Sequence, residues 1–252
     1  MWKKREVKRI DFVFHFGGYT PKRSSLANNI DKIFKSNLTG TRCLLESLPQ
    51  PIKKIVYSSS VDVYSPLIQE RTINELSPTG GSTLHGASKL FCEDLIRCFA
   101  VSHSVSYAVL RFGHTYGPGE EKYEKFIPQA IQKLLRKETP IIFGDGSTLR
   151  DFLYVEDVVK ASMRAALNPS EKLGPVNIVR GNSVPIQNVL EILIDLTKYK
   201  GPVQYLNDRE SGHSLQFDNS QMKKLLGEHE FVSLEEGLRR EVEYFRSVEN
   251  EL

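Results

Sequence analysis

The stretch from residue 55 to residue 89 constrains the fold more than any other part of this 252-residue sequence. A short apolar run at 55–57 leads into three consecutive serines, which is typical of a buried parallel strand that presents hydroxyl groups where it ends. Open α/β sheets bind their ligands at that end of their strands. Further along, His85 and Lys89 lie four residues apart in a helical pattern, so they share one face of a helix. The sequence therefore predicts that a hydroxyl, an imidazole and an ammonium group surround one small molecule.

Strand and helix patterns alternate along the rest of the chain. Compact apolar runs at 10–16, 105–110 and 176–179 predict strands, and a shorter one is found at 203–206. Amphipathic stretches at 30–48, 84–101, 186–197 and 234–245 predict helices. Because the two patterns alternate without an internal repeat, the chain is expected to form an α/β fold with a doubly wound parallel sheet.

Composition and charge exclude several classes of protein. With 40% apolar and 26% charged residues, the chain can bury a sizeable core and is not a disordered protein. The net charge of +3 is small, and the basic residues within 1–10 are interpreted as a solvated tail rather than a nucleic-acid arm. No apolar run approaches the ~20 residues of a membrane span, and no signal peptide is recognisable. Three cysteines without CxxC spacing and scattered histidines indicate no disulfide framework and no metal site. The expected location is the cytoplasm.

Four motifs carry a resemblance to a known family. They are Asn37-x-x-Gly40-Thr41, the set Ser60, His85 and Lys89, the loop from Gly113 to Gly119, and the block FGDGSTLRDFLYVEDVV at 143–159. Together they resemble the extended short-chain dehydrogenase/reductase family, the NAD-dependent epimerases and dehydratases of nucleotide sugars. Taken alone, the first motif is equally compatible with an ordinary helix that has a small-residue packing notch. The resemblance extends from Asp11 to about Phe245.

The resemblance implies a cofactor, a substrate and roles for individual residues. The cofactor would be NAD, the substrate a nucleotide-diphosphate sugar, and the core step hydride transfer at the sugar C4. The implied catalytic residues are Ser60, His85 and Lys89. The implied cofactor contacts are His15, Phe16, Gly17, Asn37, Ser58 and Lys89. The implied substrate contacts are Ser60, His114, Thr115 and Arg150. The family also implies a homodimer, formed through the helices at 30–48 and 84–101.

Arg150 admits two interpretations. Within the resemblance, its guanidinium clamps the diphosphate, because a planar fork can bond two phosphate oxygens at once. Considered in isolation, it would form a surface ion pair with Asp151 or Asp157.

Two positions of the site depart from the family pattern. The acid/base tyrosine of the family is replaced by His85, and the asparagine that contacts substrate in many members is replaced by His114. Imidazole has an unperturbed pKa of about 6.5 and can accept a proton near neutrality. Histidine is shorter than tyrosine, however, so its nitrogen does not reach the position of the tyrosine oxygen. We therefore expect slow or absent turnover, and activity after His85→Tyr in a chain completed at its N-terminus. Alternatively, His85 is a helix-surface histidine in a chain released from catalytic selection.

The residues after Ser60 bear on the type of reaction. Family dehydratases tend to have an Asp-Glu pair at this point, which supplies an acid and a base for elimination. Here the two positions are Val61 and Asp62. This difference favours epimerase-, decarboxylase- or reductase-like chemistry.

The glycine-rich turn that binds the NAD pyrophosphate in the family is missing from this sequence. No Gly-x-x-Gly-x-x-Gly occurs, and residue 11 is expected to begin what is the fourth strand of other members. The predicted organisation is a basic tail at 1–10, an incomplete Rossmann-like domain at 11–165, of which 112–140 partly line the substrate site, and a smaller substrate-binding lobe at 166–252. The strand from Asp11 to Phe16 would then be an exposed apolar edge, covered by a second copy or another partner.

Three functional hypotheses remain open at this point. The chain is an NAD-dependent nucleotide-sugar enzyme of the family, a non-catalytic remnant that binds a nucleotide sugar through Arg150 and the loop at 113–119, or an interaction module that pairs through its exposed edge. NAD binding distinguishes the first from the second.

Overall fold

The structure is a computed structural model that describes residues 9–22, 29–68, 72–81, 83–206, 214–228 and 230–249. Most of the predicted tail at 1–10 lies outside the described residues. The strands are β1 (Phe12–His15), β2 (Lys54–Ser60), β3 (Ser106–Phe112), β4 (His114–Tyr116), β5 (Ile141–Phe143), β6 (Leu149–Arg150), β7 (Phe152–Tyr154), β8 (Lys172–Ile178), β9 (Val184–Pro185) and β10 (Gln204–Leu206). The helices are α1 (Ile30–Ile33), α2 (Gly40–Ser47), α3 (Leu84–His103), α4 (Phe126–Leu135), α5 (Val155–Leu167), α6 (Ile186–Thr197), α7 (Ser220–Leu226) and α8 (Leu234–Glu249). A π-helical turn (Phe34–Thr39) joins α1 to α2, and a 3-10 turn (Val61–Val63) follows β2.

The central sheet has the order β1-β2-β3-β8, and all of its pairings are parallel. Side chains of α2 and α3 pack on one face, in a core that includes Leu45 and Ile96. Side chains of α5 and α7 pack on the other face, in a core that includes Val158 and Met222. Helices on both faces of a parallel sheet confirm the predicted doubly wound, Rossmann-like α/β fold.

The predicted strand that ends in three serines is β2. Within β2, Ser58, Ser59 and Ser60 stay in register with β3, and the first two are buried. Ser58 Oγ donates to the His15 carbonyl oxygen on β1 at 3.3 Å and Ser59 Oγ donates to Glu93 on α3, so both buried hydroxyls have partners.

A second core lies beside the sheet. It is built by α4, α6 and α8 around buried residues such as Ile131, Leu193 and Leu238. The segment 166–252, predicted as the smaller lobe, contributes to both parts, since β8 belongs to the central sheet. The division of the chain at residue 165 stays a prediction. In the part of the chain that the structure describes, no helix combines the length and the apolar character needed to cross a membrane.

Strand β1 lies at the edge of the sheet. Among the described residues its pairing is with β2 alone, and Phe12 and Phe14 are 36% and 40% exposed, while Val13 and His15 are buried. A parallel strand with one paired side presents backbone groups and apolar rings that another chain can cover.

A buried ion pair joins α3 to the sheet. The Arg111 guanidinium donates two hydrogen bonds to Glu93, from Nε to Oε1 at 3.0 Å and from Nη2 to Oε2 at 2.8 Å. Ser59 Oγ donates to the same carboxylate. Since Glu93 lies on α3, Arg111 on β3 and Ser59 on β2, one carboxylate fixes the helix against both central strands.

Removing this carboxylate is expected to destabilise the whole fold. Glu93→Ala leaves the Arg111 charge buried without its partner, which costs about 3–5 kcal/mol. The free energy of unfolding, measured by urea titration, should fall by that amount. Asp94→Ala is the matched control, since it removes an exposed pair with Arg97 from the next position of the same helix and should leave the midpoint unchanged. Equal effects of the two variants would contradict the role given to Glu93.

Candidate functional site

A cleft of about 500 Å³ opens at the carboxyl ends of β2 and β3. The end of β2, the 3-10 turn that follows it, the start of α3 and the loop after β3 form its walls. Its polar lining includes Ser58, Ser60, Asp62, His85, Lys89 and His114. This is the end of a parallel sheet at which doubly wound proteins bind ligands.

Lys89 places a buried ammonium group at the wall of the cleft. Its Nζ donates to the Ser58 carbonyl oxygen at 2.6 Å and lies 5.1 Å from the centre of the Tyr57 ring. Burial lowers the pKa of Lys89 to about 8, so the protonated ammonium form still predominates at neutral pH. An ammonium group held in this way can donate a hydrogen bond into the cleft.

His85 lies beside Lys89, one helical turn earlier. Thr83 caps α3 by accepting a hydrogen bond from the Gly86 backbone N–H at 3.0 Å, which places His85 in the first turn of the helix. The imidazole is 8% exposed, and its Nε2 is buried without a hydrogen-bond partner among the described residues. The structure thus brings His85, Lys89 and Ser60 to one cleft, as the spacing predicts.

Asp62 contacts the other ring nitrogen of His85. Its Oδ2 is 3.4 Å from His85 Nδ1, and its backbone N–H donates to Ser60 Oγ at 3.1 Å. Burial disfavours the charged carboxylate, but the hydrogen bond and charge of His85 outweigh burial, and the pKa of Asp62 lies below its usual range. A Cβ on Gly86 would be 2.0 Å from the Asp62 carbonyl oxygen, so only glycine lets the helix approach this turn so closely.

The residues expected to contact a cofactor divide into two groups. Phe16 and Ser58 line the cleft. His15, Gly17 and Asn37 are not among its lining residues. His15 Nε2 is 2.8 Å from Thr41 Oγ1, and burial together with the Lys89 charge lowers the pKa of His15 to about 4.

Asn37 connects two elements behind the wall of the cleft. Its Oδ1 accepts from the Tyr19 backbone N–H at 2.6 Å, and its Nδ2 donates to Ser88 Oγ at 2.9 Å. The side chain therefore links the loop after β1 to α3, within a π-helical turn of a kind often found at functional sites.

The expected substrate residues span two adjoining cavities. His114 and Thr115 line both the cleft and a second pocket of about 240 Å³, whereas Arg150 lines only the second pocket. Burial, with the neighbouring Arg150 charge, lowers the pKa of His114 to about 4, so the ring is neutral at physiological pH. Asp151, one of the two carboxylates considered as a partner of Arg150, accepts hydrogen bonds from the backbone N–H groups of Arg180 and Gly181.

Two residues of the site were not predicted from the sequence. Asp62 was noted only for its position after Ser60, and its contact with His85 depends on how closely α3 approaches the turn. Lys125 lines both cavities, and its Nζ donates to the Thr115 carbonyl oxygen at 3.2 Å. No motif surrounds Lys125, since it is simply the residue before α4.

Comparisons with known proteins agree with this geometry. A family model described as the NAD dependent epimerase/dehydratase family matches residues 3–179. A putative UDP-glucose 4-epimerase of Methanocaldococcus jannaschii is 30% identical over 254 residues, which cover 97% of this chain and 80% of that protein.

Two solved structures are similar over nearly the whole chain. The UDP-glucose 4-epimerase of Thermotoga maritima with UDP-glucose has a TM-score of 0.85 and 29% identity, covering 94% of this chain and 78% of that one. The protein MoeE5 in complex with UDP-glucuronic acid and NAD has a TM-score of 0.82 and 30% identity, covering 95% of this chain and 80% of that one. Since the family model matches well over half of the sequence, and the fold and the cleft agree with it, this chain belongs to the NAD dependent epimerase/dehydratase family.

Proposed function

We propose that this protein binds a nucleotide-diphosphate sugar together with NAD and catalyses proton and hydride transfer at the sugar C4. The observation that carries this proposal is the convergence of Ser60, His85 and Lys89 on one cleft at the carboxyl end of a parallel sheet. UDP sugars are named for the similar proteins, which supports this substrate class. The chemistry is epimerase-, decarboxylase- or reductase-like, because Val61 replaces one half of the dehydratase acid/base pair.

The residues around Lys89 fit the nicotinamide ribose of NAD. Lys89 would donate to a ribose hydroxyl, with Ser58 and Phe16 at the same wall. Gly18 keeps space open here, because a Cβ would lie 3.1 Å from Asn37 Oδ1 and 3.8 Å from Lys89 Nζ. When bound, NAD would supply the acceptor for the C4 hydride, and a side chain of this protein would accept the C4 hydroxyl proton.

The substrate would extend from the cleft into the adjoining pocket. Ser60, His114 and Thr115 would contact the sugar, and Arg150 would bind the diphosphate. Burial lowers the pKa of Arg150, yet a guanidinium stays charged at neutral pH and forks onto two phosphate oxygens. Lys125 borders both cavities, and its ammonium group is paired with the Glu120 carboxylate.

His85 would accept the hydroxyl proton. Its Nε2 is a buried ring nitrogen without a partner among the described residues, which suits a base that waits for substrate. Slow turnover, and its rescue by His85→Tyr in a chain completed at its N-terminus, stay predictions. The alternative of a protein that binds nucleotide sugars without turnover is an outcome of the experiment below.

The proposal is tested by incubating the protein with NAD and UDP-glucose or UDP-glucuronic acid. We expect slow formation of an altered sugar nucleotide, detected by mass spectrometry and NMR, and sugar-nucleotide binding detected by calorimetry. His85→Phe should lower product formation by about 10²-fold or more, since it removes the base and keeps a ring. Lys89→Met should weaken NAD binding by about tenfold or more, because one charge-assisted hydrogen bond is lost.

The control variant is His103→Phe, which replaces an exposed histidine at the other end of α3 and should change neither rate nor affinity. Binding without product would support the non-catalytic alternative. Absence of binding to both ligands would overturn the proposal.

A homodimer formed through α1 and α3 is also proposed. Ile30, Phe34, Leu84 and Phe91 line one shallow apolar pocket on the outer side of these helices, and Ile30 and Phe34 are 66% and 59% exposed. A second copy would bury this face by packing the same helices against each other in a bundle.

Light scattering should therefore give about twice the chain mass of 28.7 kDa. Phe34→Glu and Phe91→Glu should each yield monomers, because they place a charge in the apolar contact. Val159→Glu, at an exposed apolar position of α5, is the control and should keep the dimer. A dimer that survives both phenylalanine variants but is lost on Phe14→Lys would place the contact at the β1 edge instead.

A further inference from the structure

The position of Asp62 beside His85 is not explained by the roles proposed above. Asp62 Oδ2 is 3.4 Å from His85 Nδ1, and the side chains are 45% and 10% exposed. The opposite nitrogen, Nε2, is buried without a partner among the described residues, and His85 lines the cleft. A carboxylate on Nδ1 stabilises the tautomer that carries its proton there, which leaves the lone pair of Nε2 free to accept a proton.

Local packing holds the two residues in this relation. Ser60 Oγ accepts from the Asp62 backbone N–H at 3.1 Å and so starts the 3-10 turn. Gly86 lets α3 press against the Asp62 backbone, since a Cβ would be only 2.0 Å from its carbonyl oxygen. The contact of Ser60 with the Asp62 backbone and the close approach of Gly86 to it therefore bring the carboxylate and the imidazole together.

Charge gives a reason for a carboxylate at this place. A tyrosine base is an anion that becomes neutral when it accepts a proton, whereas a histidine base is neutral and becomes a cation. The second process creates a positive charge one helical turn from Lys89, which is itself cationic and buried. Asp62 supplies the negative charge that offsets this increase.

The other titratable groups that line the cleft do not supply such a charge at the ring. Lys89 lies on the same helix, and His114 faces the cleft from β4 as a neutral ring. The remaining charged lining residues are Lys22, Glu124 and Lys125. Asp62 is the carboxylate for which the structure shows a hydrogen-bonding distance to His85.

We propose that Asp62 is a positioning residue that holds His85 as the Nδ1–H tautomer and balances the charge of the imidazolium, so that an Asp–His pair performs the proton transfer. This inference rests on the proposed function for its chemical consequence. In the step itself, the O–H bond of the substrate breaks, its proton forms a bond to Nε2, and its electron pair stays on the oxygen. Asp62 remains ionised throughout and does not touch the substrate.

The first test is the tautomer of His85, which needs neither substrate nor cofactor. Nitrogen NMR of protein labelled at histidine, with the His85 signals identified by their loss in His85→Phe, should show the proton on Nδ1 when the ring is neutral. In Asp62→Asn the side-chain amide can donate to Nδ1, and the proton should move mainly to Nε2. The outcome that would overturn the inference is the same tautomer ratio in both proteins.

A reciprocal measurement covers the case in which Asp62→Asn does not fold. In His85→Phe, the pKa of Asp62, followed by carbon NMR of its carboxyl group, should rise, because the hydrogen bond and charge that lower it are removed while burial remains. An unchanged titration of Asp62 would also overturn the inference. The control is Asp94→Asn, which lies on α3 like His85 and is paired with Arg97. It should change neither the tautomer of His85 nor the titration of Asp62.

The consequence for activity distinguishes this inference from the function on which it rests. Product formation by Asp62→Asn should fall by about 10-fold to 10²-fold, less than in a fully buried Asp–His pair because Asp62 is partly exposed, while sugar-nucleotide affinity stays the same. If the wild type forms no product but the tautomer moves in the variant, the proposed function fails and the pairing stands. If product forms and neither NMR signal responds, the function stands and the role of Asp62 is overturned.

Discussion

The ion pair between Glu93 and Arg111 is the interaction on which the arrangement of the site depends. It joins α3 to β3, and the same carboxylate accepts a hydrogen bond from Ser59 on β2. Glu93 lies four residues after Lys89, so the helix face that is anchored to the sheet continues directly into the face that lines the cleft. The position of the reactive side chains is thus set by a contact one helical turn away.

The contacts of the Glu93–Arg111 ion pair continue across the sheet. The Arg111 guanidinium lies 4.9 Å from the centre of the Tyr64 ring, and the Tyr64 hydroxyl donates to Asn177 on β8 at 2.6 Å. A charge at this depth is tolerated because its partners are fixed by three neighbouring strands and a helix. These contacts connect α3 and the strands behind the cleft, and such connections help to position the side chains of a site.

The electrostatics of the cleft follow from burial. Lys89 keeps its charge near neutrality, while His15 and His114 have pKa values of about 4 and are neutral there. A neutral His15 next to the Lys89 ammonium avoids a second positive charge there. The Asp62 carboxylate lies 3.4 Å from His85. In the adjoining pocket, Lys125 is paired with Glu120, and Arg150 lines the same pocket.

Much of this arrangement was predictable from short-range pattern. The alternation of strands and helices predicts the doubly wound sheet, and four-residue spacing predicts that His85 and Lys89 share a face, because helix geometry is periodic. Predictions that depended on where a side chain points were less complete. His15 and Asn37 lie behind the cleft wall with partners of their own, and Arg150 lines an adjoining pocket, since direction depends on neighbours distant in the chain.

Local patterns in the sequence predict the fold class, the strand that ends in three serines, and the helix that carries His85 and Lys89. The contact between Asp62 and His85, which are 23 positions apart in the sequence and 3.4 Å apart in space, arises from tertiary packing. The physical reason is that helical spacing and apolar periodicity are local properties of the chain. The approach of a helix to a turn, by contrast, is decided by packing, here by a glycine without a Cβ and by a buried ion pair that holds the helix in place.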